Sequence, residues 1–268
     1  MDQKPKLTVS GFRGVWDKDL NEKIAFGYAL AFAKMIKKSG AKKILVGRDA
    51  RKTGPQILRA IKNATEKENL EMDYAGIIPT PSILLLVKKL SYDGGIIITA
   101  SHNPKNYNGF KFVANDGLFI EQGEINELEE IRKSLNKDES EYQENFDLKN
   151  IESNNKNEEF KKLHIEEILK NVDVNLIKSK KFKVALDSIN SAGGIITQEL
   201  LKELGCKIYA INTEQTGEFS HEPEPLVKNL EQIREATIES NSDVGFAQDP
   251  DADRLVIVTE KGEILCEE

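Results

Sequence analysis

The sequence predicts an α/β protein made of two tandem βαβ domains with mixed, mostly parallel sheets. Three observations carry that expectation. Short aliphatic runs alternate with longer segments whose apolar residues recur at helical spacing. A polar, Asn-rich stretch at 136–157, nearly free of aliphatics, divides the alternation into two halves. With 268 residues the chain has length for two domains of ordinary size.

Taken in order, Ser10-Gly11-Phe12-Arg13-Gly14 reads as a turn. A helix follows over 22–38, with Ile24, Tyr28, Ala31, Met35 and Ile36 at helical spacing and Ser39-Gly40 as its stop. Residues 43–47 (KILVG) form a short buried strand, and a second helix starts after Thr53-Gly54, where Pro55 suits its first turn. The alternation continues with a strand at 72–76, a helix at 81–90, a strand at 94–99 and a helix bearing Ile125, Leu128, Ile131 and Leu135. Beyond the polar stretch come a helix at 158–172, a strand at 183–187, a Gly193-Gly194 turn leading to a helix that ends at Gly205, and a strand at 207–211. A helix at 226–240 and strands at 243–247 and 255–258 complete the second half. The expected division is 1–145, a linker at 146–157, and 158–268. Both halves are α/β, yet no sequence repeat supports a duplication.

Composition removes several functional classes. The longest apolar run, at 82–87, is far below the roughly 18 residues of a membrane span. A net charge of −7 gives no electrostatic footprint for nucleic acid or an anionic membrane, so neither is an expected partner. The two cysteines, Cys206 and Cys266, offer neither a disulfide framework nor thiolate zinc spacing, and a reducing, cytoplasmic setting is expected.

Ligands of open α/β sheets bind beyond the carboxyl ends of strands, and two polar clusters stand there. Thr99-Ala100-Ser101-His102-Asn103-Pro104 follows an aliphatic strand, with Lys111 close behind. A serine at a strand tip can act as nucleophile or phosphoryl carrier, and Lys111 as a cation or proton carrier; the alternative is an ordinary polar turn. The second cluster, Gln248-Asp249-Pro250-Asp251-Ala252-Asp253-Arg254, lies between two apolar strands. Three crowded carboxylates repel one another, and hard oxygen ligands suit Mg²⁺. Removing one should then relieve repulsion in the metal-free chain. Asp249, Asp251, Asp253 and Glu260 also fit an EF-hand loop, which fails at Arg254, where glycine is needed, and at the exit, where a strand follows. An unliganded acidic turn stays open. Weaker signals are Arg13 and Gly14 as a phosphate contact, Arg48, Asp49 and Arg51 as an ion pair or a site, a half-buried His164, and His221 in a Pro-defined loop without a partner histidine for metal.

The pairing of TASHNPKNYNGFK with QDPDADRL resembles the α-D-phosphohexomutases, the family of phosphoglucomutase, phosphomannomutase and phosphoglucosamine mutase. SGFRGV, VGRDARKTGP, GIIPTPS, VALDSINSAGG and FSHEPEPLVKNL extend the likeness along nearly the whole chain. It implies that Ser101 carries a phosphoryl group, and that Asp249, Asp251, Asp253 and a phospho-Ser101 oxygen hold Mg²⁺. Lys111 matches the proton-transfer lysine, His102 its neighbouring histidine, and Arg13 and Arg254 arginines near the phosphoserine. The implied reaction interconverts hexose 1- and 6-phosphates through a hexose 1,6-bisphosphate. The alternatives are a phosphoglucosamine mutase, a metal-assisted phosphatase and a non-catalytic metal-binding scaffold. Pro250 stands where the family often has glycine, and SGF is a looser opening than usual. Family members have four domains, and these residues match the first two. Little turnover is therefore expected of them alone, with the carboxyl-terminal domains, in cis or as a separate chain, as partners beside the hexose phosphate.

Overall fold

The computed structural model describes residues 5–135, 142, 148, 151 and 155–265. The linker placed at 146–157 falls mostly outside them, as does Cys266. The first half consists of β1 (Phe12–Val15), α1 (Glu22–Lys37), β2 (Lys43–Arg48), α2 (Gly54–Lys67), β3 (Glu71–Ile77), α3 (Thr80–Lys89), β4 (Gly95–Ile98), β5 (Tyr107–Val113) and α4 (Gln122–Ser134). The second consists of α5 (Asn157–Leu169), α6 (Val174–Lys180), β6 (Lys183–Asp187), α7 (Gly193–Glu203), β7 (Lys207–Ile211), a 3₁₀ turn at Val227–Asn229, α8 (Glu231–Glu239), β8 (Val244–Gln248), β9 (Leu255–Thr259) and β10 (Ile264–Leu265).

The strands make two five-stranded sheets, ordered β1-β5-β4-β2-β3 and β10-β9-β8-β6-β7. In the first, β2 pairs in parallel with β3 and β4, while β5 runs antiparallel between β4 and β1. The second repeats this plan, with β6 parallel to β7 and β8 and β9 antiparallel between β8 and β10. Four of five strands in each sheet thus share one direction. Four strands follow the same order and directions in both halves, a likeness their residues do not betray, while the edge strand beside β5 or β9 comes from the start of the first half and the end of the second.

Helices cover both faces. Apolar stripes of α1, α2 and α4 meet the face carrying Ile44, Val46, Ile96, Ile98, Phe110 and Phe112. The Phe12 and Phe110 rings stack there at 5.4 Å, and Phe32 stacks on Phe112 at 4.6 Å. Asn21 caps α1 by accepting the Ile24 N–H at 3.0 Å, and Glu121 and Glu124 form a capping box on α4. The opposite face buries Leu45 and Ile97 under Ile83, Leu86 and Val87 of α3 and under Phe160 of α5. Helix α5, assigned from sequence to the second half, therefore packs on the first. In the second sheet, α8 covers Ala185, Ala247 and Val258, and α7 brings Leu201 onto Val184 and Leu186.

Several local expectations change. The 10–14 turn is in part β1, an edge strand held by non-local pairing with β5, itself unanticipated. Gly193 and Gly194 are not a turn but the first two residues of α7: a Cβ on either would lie 2.1 Å from Gln248 Oε1 or from Thr213 O. The 226–240 helix divides into the 3₁₀ turn and α8.

Candidate active site

The carboxyl ends of β2, β3 and β4 and those of β6 and β8 face one another, and the two polar clusters meet between them. The chain leaves β4 at Ile98 and turns at Ser101, whose φ of +49° is left-handed and costly for a residue with a Cβ. Ser101 is 2% exposed; its Oγ donates to Asp249 Oδ2 at 3.2 Å and lies 3.3 Å from His102 Nδ1. The serine and the acidic loop, 148 positions apart, are thus in direct contact.

The acidic loop joins β8 to β9, with a second left-handed residue at Ala252, φ +53°. One oxygen from each of Asp249, Asp251 and Asp253 falls within 4.8 Å of the others. Helix α3 ties this loop to the first half: the Thr80 N–H donates to the Asp251 carbonyl at 2.9 Å, and Thr80 Oγ1 donates to Asp251 Oδ2 at 2.6 Å. Lys111, on β5, is 2% exposed and donates to Asp251 Oδ2 at 2.8 Å and Asp253 Oδ2 at 2.7 Å. Its ammonium offsets part of the carboxylate charge and leaves Asp249 without an ion-pair partner among the described residues.

Burial, then the Asp251 and Asp253 carboxylates, push Asp249 well above the usual carboxylate range. Burial acts the same way on Asp251, but Lys111 and Thr80 outweigh it and hold that carboxyl low. Burial would lower Lys111, yet Asp251 and Asp253 raise it, so the amine is protonated. Asp251 Oδ1 is buried and has no hydrogen-bond partner among the described residues. A desolvated carboxylate oxygen left unpaired beside two further carboxylates fits a hard divalent cation, and the donors present, all oxygen, are those Mg²⁺ takes.

Two guanidinium groups border the serine. Arg13, on β1, reaches Asn103 Oδ1 at 3.3 Å and the Ser10 carbonyl at 3.5 Å. Half-buried Arg254 gives its backbone N–H to Asp249 Oδ1 at 3.2 Å. Burial, then Arg254 and Arg13, lower His102, so the imidazole is held neutral beside two cations. The predicted residues Ser101, His102, Lys111, Arg13, Arg254, Asp249, Asp251 and Asp253 therefore lie in one cluster where the two halves meet.

Other signals resolve differently. Arg51 and Asp49 form a buried ion pair at 3.0 Å beneath the Ser101 loop, whereas Arg48 bonds the Tyr74 hydroxyl at 2.8 Å on the far side. His164 Nδ1 lies 2.7 Å from buried Ser82 Oγ where α5 packs on α3, outside that cluster. His221 approaches Asp187 Oδ2 at 3.4 Å through Nε2. Sequence reasoning gave Thr80 no role, although it lies in the noted GIIPTPS segment; a polar residue opening a helix beyond a strand was its only signal.

Both halves of the chain match known protein families. The family model for phosphoglucomutase/phosphomannomutase alpha/beta/alpha domain I matches residues 4–139, and that for domain II matches 162–262. A phosphoglucosamine/phosphogalactosamine mutase of Sulfurisphaera tokodaii is 34% identical over 263 residues, covering 96% of this chain and 55% of that protein. A phosphoglucomutase/phosphomannomutase of Thermococcus kodakarensis is 33% identical over 258 residues, with shares of 95% and 55%. The crystal structure of a phosphoglucomutase/phosphomannomutase family protein from Burkholderia thailandensis superposes with a TM-score of 0.75 at 25% identity, over 98% of this chain and 56% of that one. The chain spans about half the length of the curated relatives it matches. No helix among the described residues is long and apolar enough to cross a membrane. With both family models matched in order, the chain belongs to the phosphoglucomutase/phosphomannomutase family.

Proposed function

We propose that these residues form the catalytic half of a phosphohexomutase, in which Ser101 accepts a phosphoryl group from a hexose 1,6-bisphosphate and passes it to a hexose monophosphate. The observation that carries this reading is the 3.2 Å contact between a buried, left-handed serine and the acidic loop, with Lys111 inside the same cluster.

In the forward step a sugar hydroxyl oxygen bonds to the phosphorus of phospho-Ser101 as the P–Oγ bond breaks. Catalysis of such a transfer is mostly positioning and charge compensation. Arg13 and Arg254 supply positive charge to the transferring group, and neutral His102 can donate or accept beside Ser101 Oγ. Asp249, Asp251, Asp253 and a phospho-Ser101 oxygen would hold Mg²⁺, which when bound draws charge from the phosphoryl oxygens. Lys111, protonated where it lies beside Asp251 and Asp253, would return a proton to the leaving oxygen. To take one from the attacking hydroxyl it needs the pull of Asp251 and Asp253 to be offset first.

A mutase must also hold the bisphosphate while it reverses, which takes contacts on the far side of the sugar. We therefore expect these 268 residues alone to exchange phosphate slowly with negligible mutase turnover, and a carboxyl-terminal region of matching kind, in cis or as a separate chain, to restore it. A second reading, a hexosamine phosphate as substrate, is favoured by the phosphoglucosamine/phosphogalactosamine mutase among the relatives. The test is incubation with ³²P-labelled glucose 1,6-bisphosphate and Mg²⁺, followed by peptide mapping. Label is expected on Ser101 and absent from Ser101→Ala; label elsewhere that survives Ser101→Ala would overturn the assignment.

A further inference from the structure

The Ser101 turn is held by one buried side chain. Four carbonyl oxygens of the loop converge on the guanidinium of Arg51, which is 1% exposed: Ser101 at 2.6 Å and Asn103 at 2.7 Å bond Nη2, and Pro104 at 2.7 Å and Tyr107 at 3.0 Å bond Nη1. The remaining donor, Nε, reaches Asp49 Oδ2 at 3.0 Å. All five N–H groups of the planar fork are used, none of them on a site-facing side chain.

The other end of the Ser101 residue is fixed by the same network. Its N–H donates to Thr99 Oγ1 at 2.8 Å, and the Thr99 hydroxyl donates to Asp49 Oδ2 at 2.7 Å. Asp49 Oδ1 accepts the Arg51 N–H at 2.9 Å. Ser101 is thus gripped at both its N–H and its carbonyl, the two groups whose orientations define a left-handed residue. Against the guanidinium plane, the Phe219 ring of the second half sits at 5.0 Å, so the grip also senses how that half is seated.

From this arrangement, and resting on the phosphoryl-transfer reading of Ser101, we infer that Arg51 is a positioning residue that sets the turn presenting Ser101 Oγ to the acidic loop, and that it does not contact the phosphoryl group. Lysine in its place keeps the charge but offers three donors from a single point, too few and wrongly spread for four carbonyls. A displacement of about 1 Å at a reacting atom lowers rate by about 100-fold.

Two measurements on wild type, Arg51→Lys and Thr99→Val test this. The first is ³²P transfer from glucose 1,6-bisphosphate to Ser101 as a function of donor concentration. A positioning role lowers the saturating rate about 10–100-fold in Arg51→Lys and leaves the half-saturating concentration within about twofold. The second is amide exchange of residues 99–107, expected to be faster in Arg51→Lys while protection of β8 and β9 is unchanged. Thr99→Val, close in shape, should shift both readouts the same way and serves if Arg51→Lys does not fold. A raised half-saturation with an unchanged saturating rate would make Arg51 a ligand contact and overturn the inference. So would exchange as slow as wild type in a folded variant, a result that counts whether or not wild type takes up label. Absence of label from wild type speaks instead against the proposed function.

Discussion

Replacing Asp249 and Asp251 in turn by asparagine should move the metal-free melting temperature in opposite directions. Asp251 Oδ2 accepts from Lys111 Nζ at 2.8 Å and Thr80 Oγ1 at 2.6 Å, at a position 0% exposed. Neutralising it breaks a buried ion pair, a loss of about 3–5 kcal/mol. The lower end applies, because Lys111 retains Asp253 at 2.7 Å and that side chain is 30% exposed. About 3 kcal/mol is a fall of roughly 6–12 °C in a chain of this size. Asp249 has no cation partner among the described residues and shares a 4.8 Å cluster with two like charges. A fully charged Asp249 would meet about 3.5 kcal/mol of repulsion from each neighbour at an effective dielectric of about 20, but its raised carboxyl sheds most of that by taking up a proton, so only the remainder is there to be removed. Asparagine there gives up one accepted hydrogen bond, about 1 kcal/mol, and removes that remainder. The metal-free melt should then rise by a few degrees, at about 2–4 °C for each kcal/mol. Calorimetry in EDTA and across a Mg²⁺ titration reads both effects, and each variant should lose most of the Mg²⁺-induced upward shift. Asp251→Asn melting above wild type in EDTA, or the two variants shifting together, would refute the charge assignment. The sequence alone leads to the expectation that losing any one carboxylate relieves the cluster; with Lys111 between Asp251 and Asp253 we expect that only of Asp249 and the opposite of Asp251.

Gly109→Ala would place a Cβ 2.0 Å from the Phe12 carbonyl oxygen and 3.0 Å from that of Thr99, prying β1 from β5 by about 1 Å. The melt should drop with a destabilisation of about 1–3 kcal/mol, and label transfer to Ser101 should slow as Arg13 shifts; a melt equal to wild type would count against this. His221 is raised in the folded chain: burial lowers it, but Asp187 and the Glu222 carbonyl outweigh that. Its contribution is therefore full below the unfolded value and fades as pH climbs through the higher folded one. The melting gap between wild type and His221→Gln should be wider at about pH 6 than at about pH 9, and equal gaps would rule the pairing out.

Much of the site was legible because its residues sit where strands end. The serine cluster and the acidic cluster each come just after a strand, and that adjacency survives without any knowledge of the fold. What escaped was non-local. Phe12-Arg13-Gly14-Val15 becomes a strand only because β5 lies beside it, and Gly11 and Gly14 gave it the look of a turn. Gly193-Gly194 carried the same signature, but their missing side chains make room for Gln248 Oε1 and the Thr213 carbonyl at the start of a helix. Arg51 read equally well as half of an ion pair or as a site residue. Its four carbonyl partners lie on a loop about fifty positions away, and backbone acceptors leave no trace in a side-chain pattern.

The repeated strand order bears on how reactivity is apportioned. β4 and β8 hold the same place in their sheets, so the serine turn and the acidic turn are one architectural corner used twice and set face to face. One corner carries the serine proposed as nucleophile, the other the carboxylates suited to a cation. Their separation is a coordinate between two folding units rather than a property of either, fastened by Thr80 on one side and Phe219 on the other. A small shift at that seam would therefore change the 3.2 Å contact between Ser101 and Asp249 with every residue of both corners left in place.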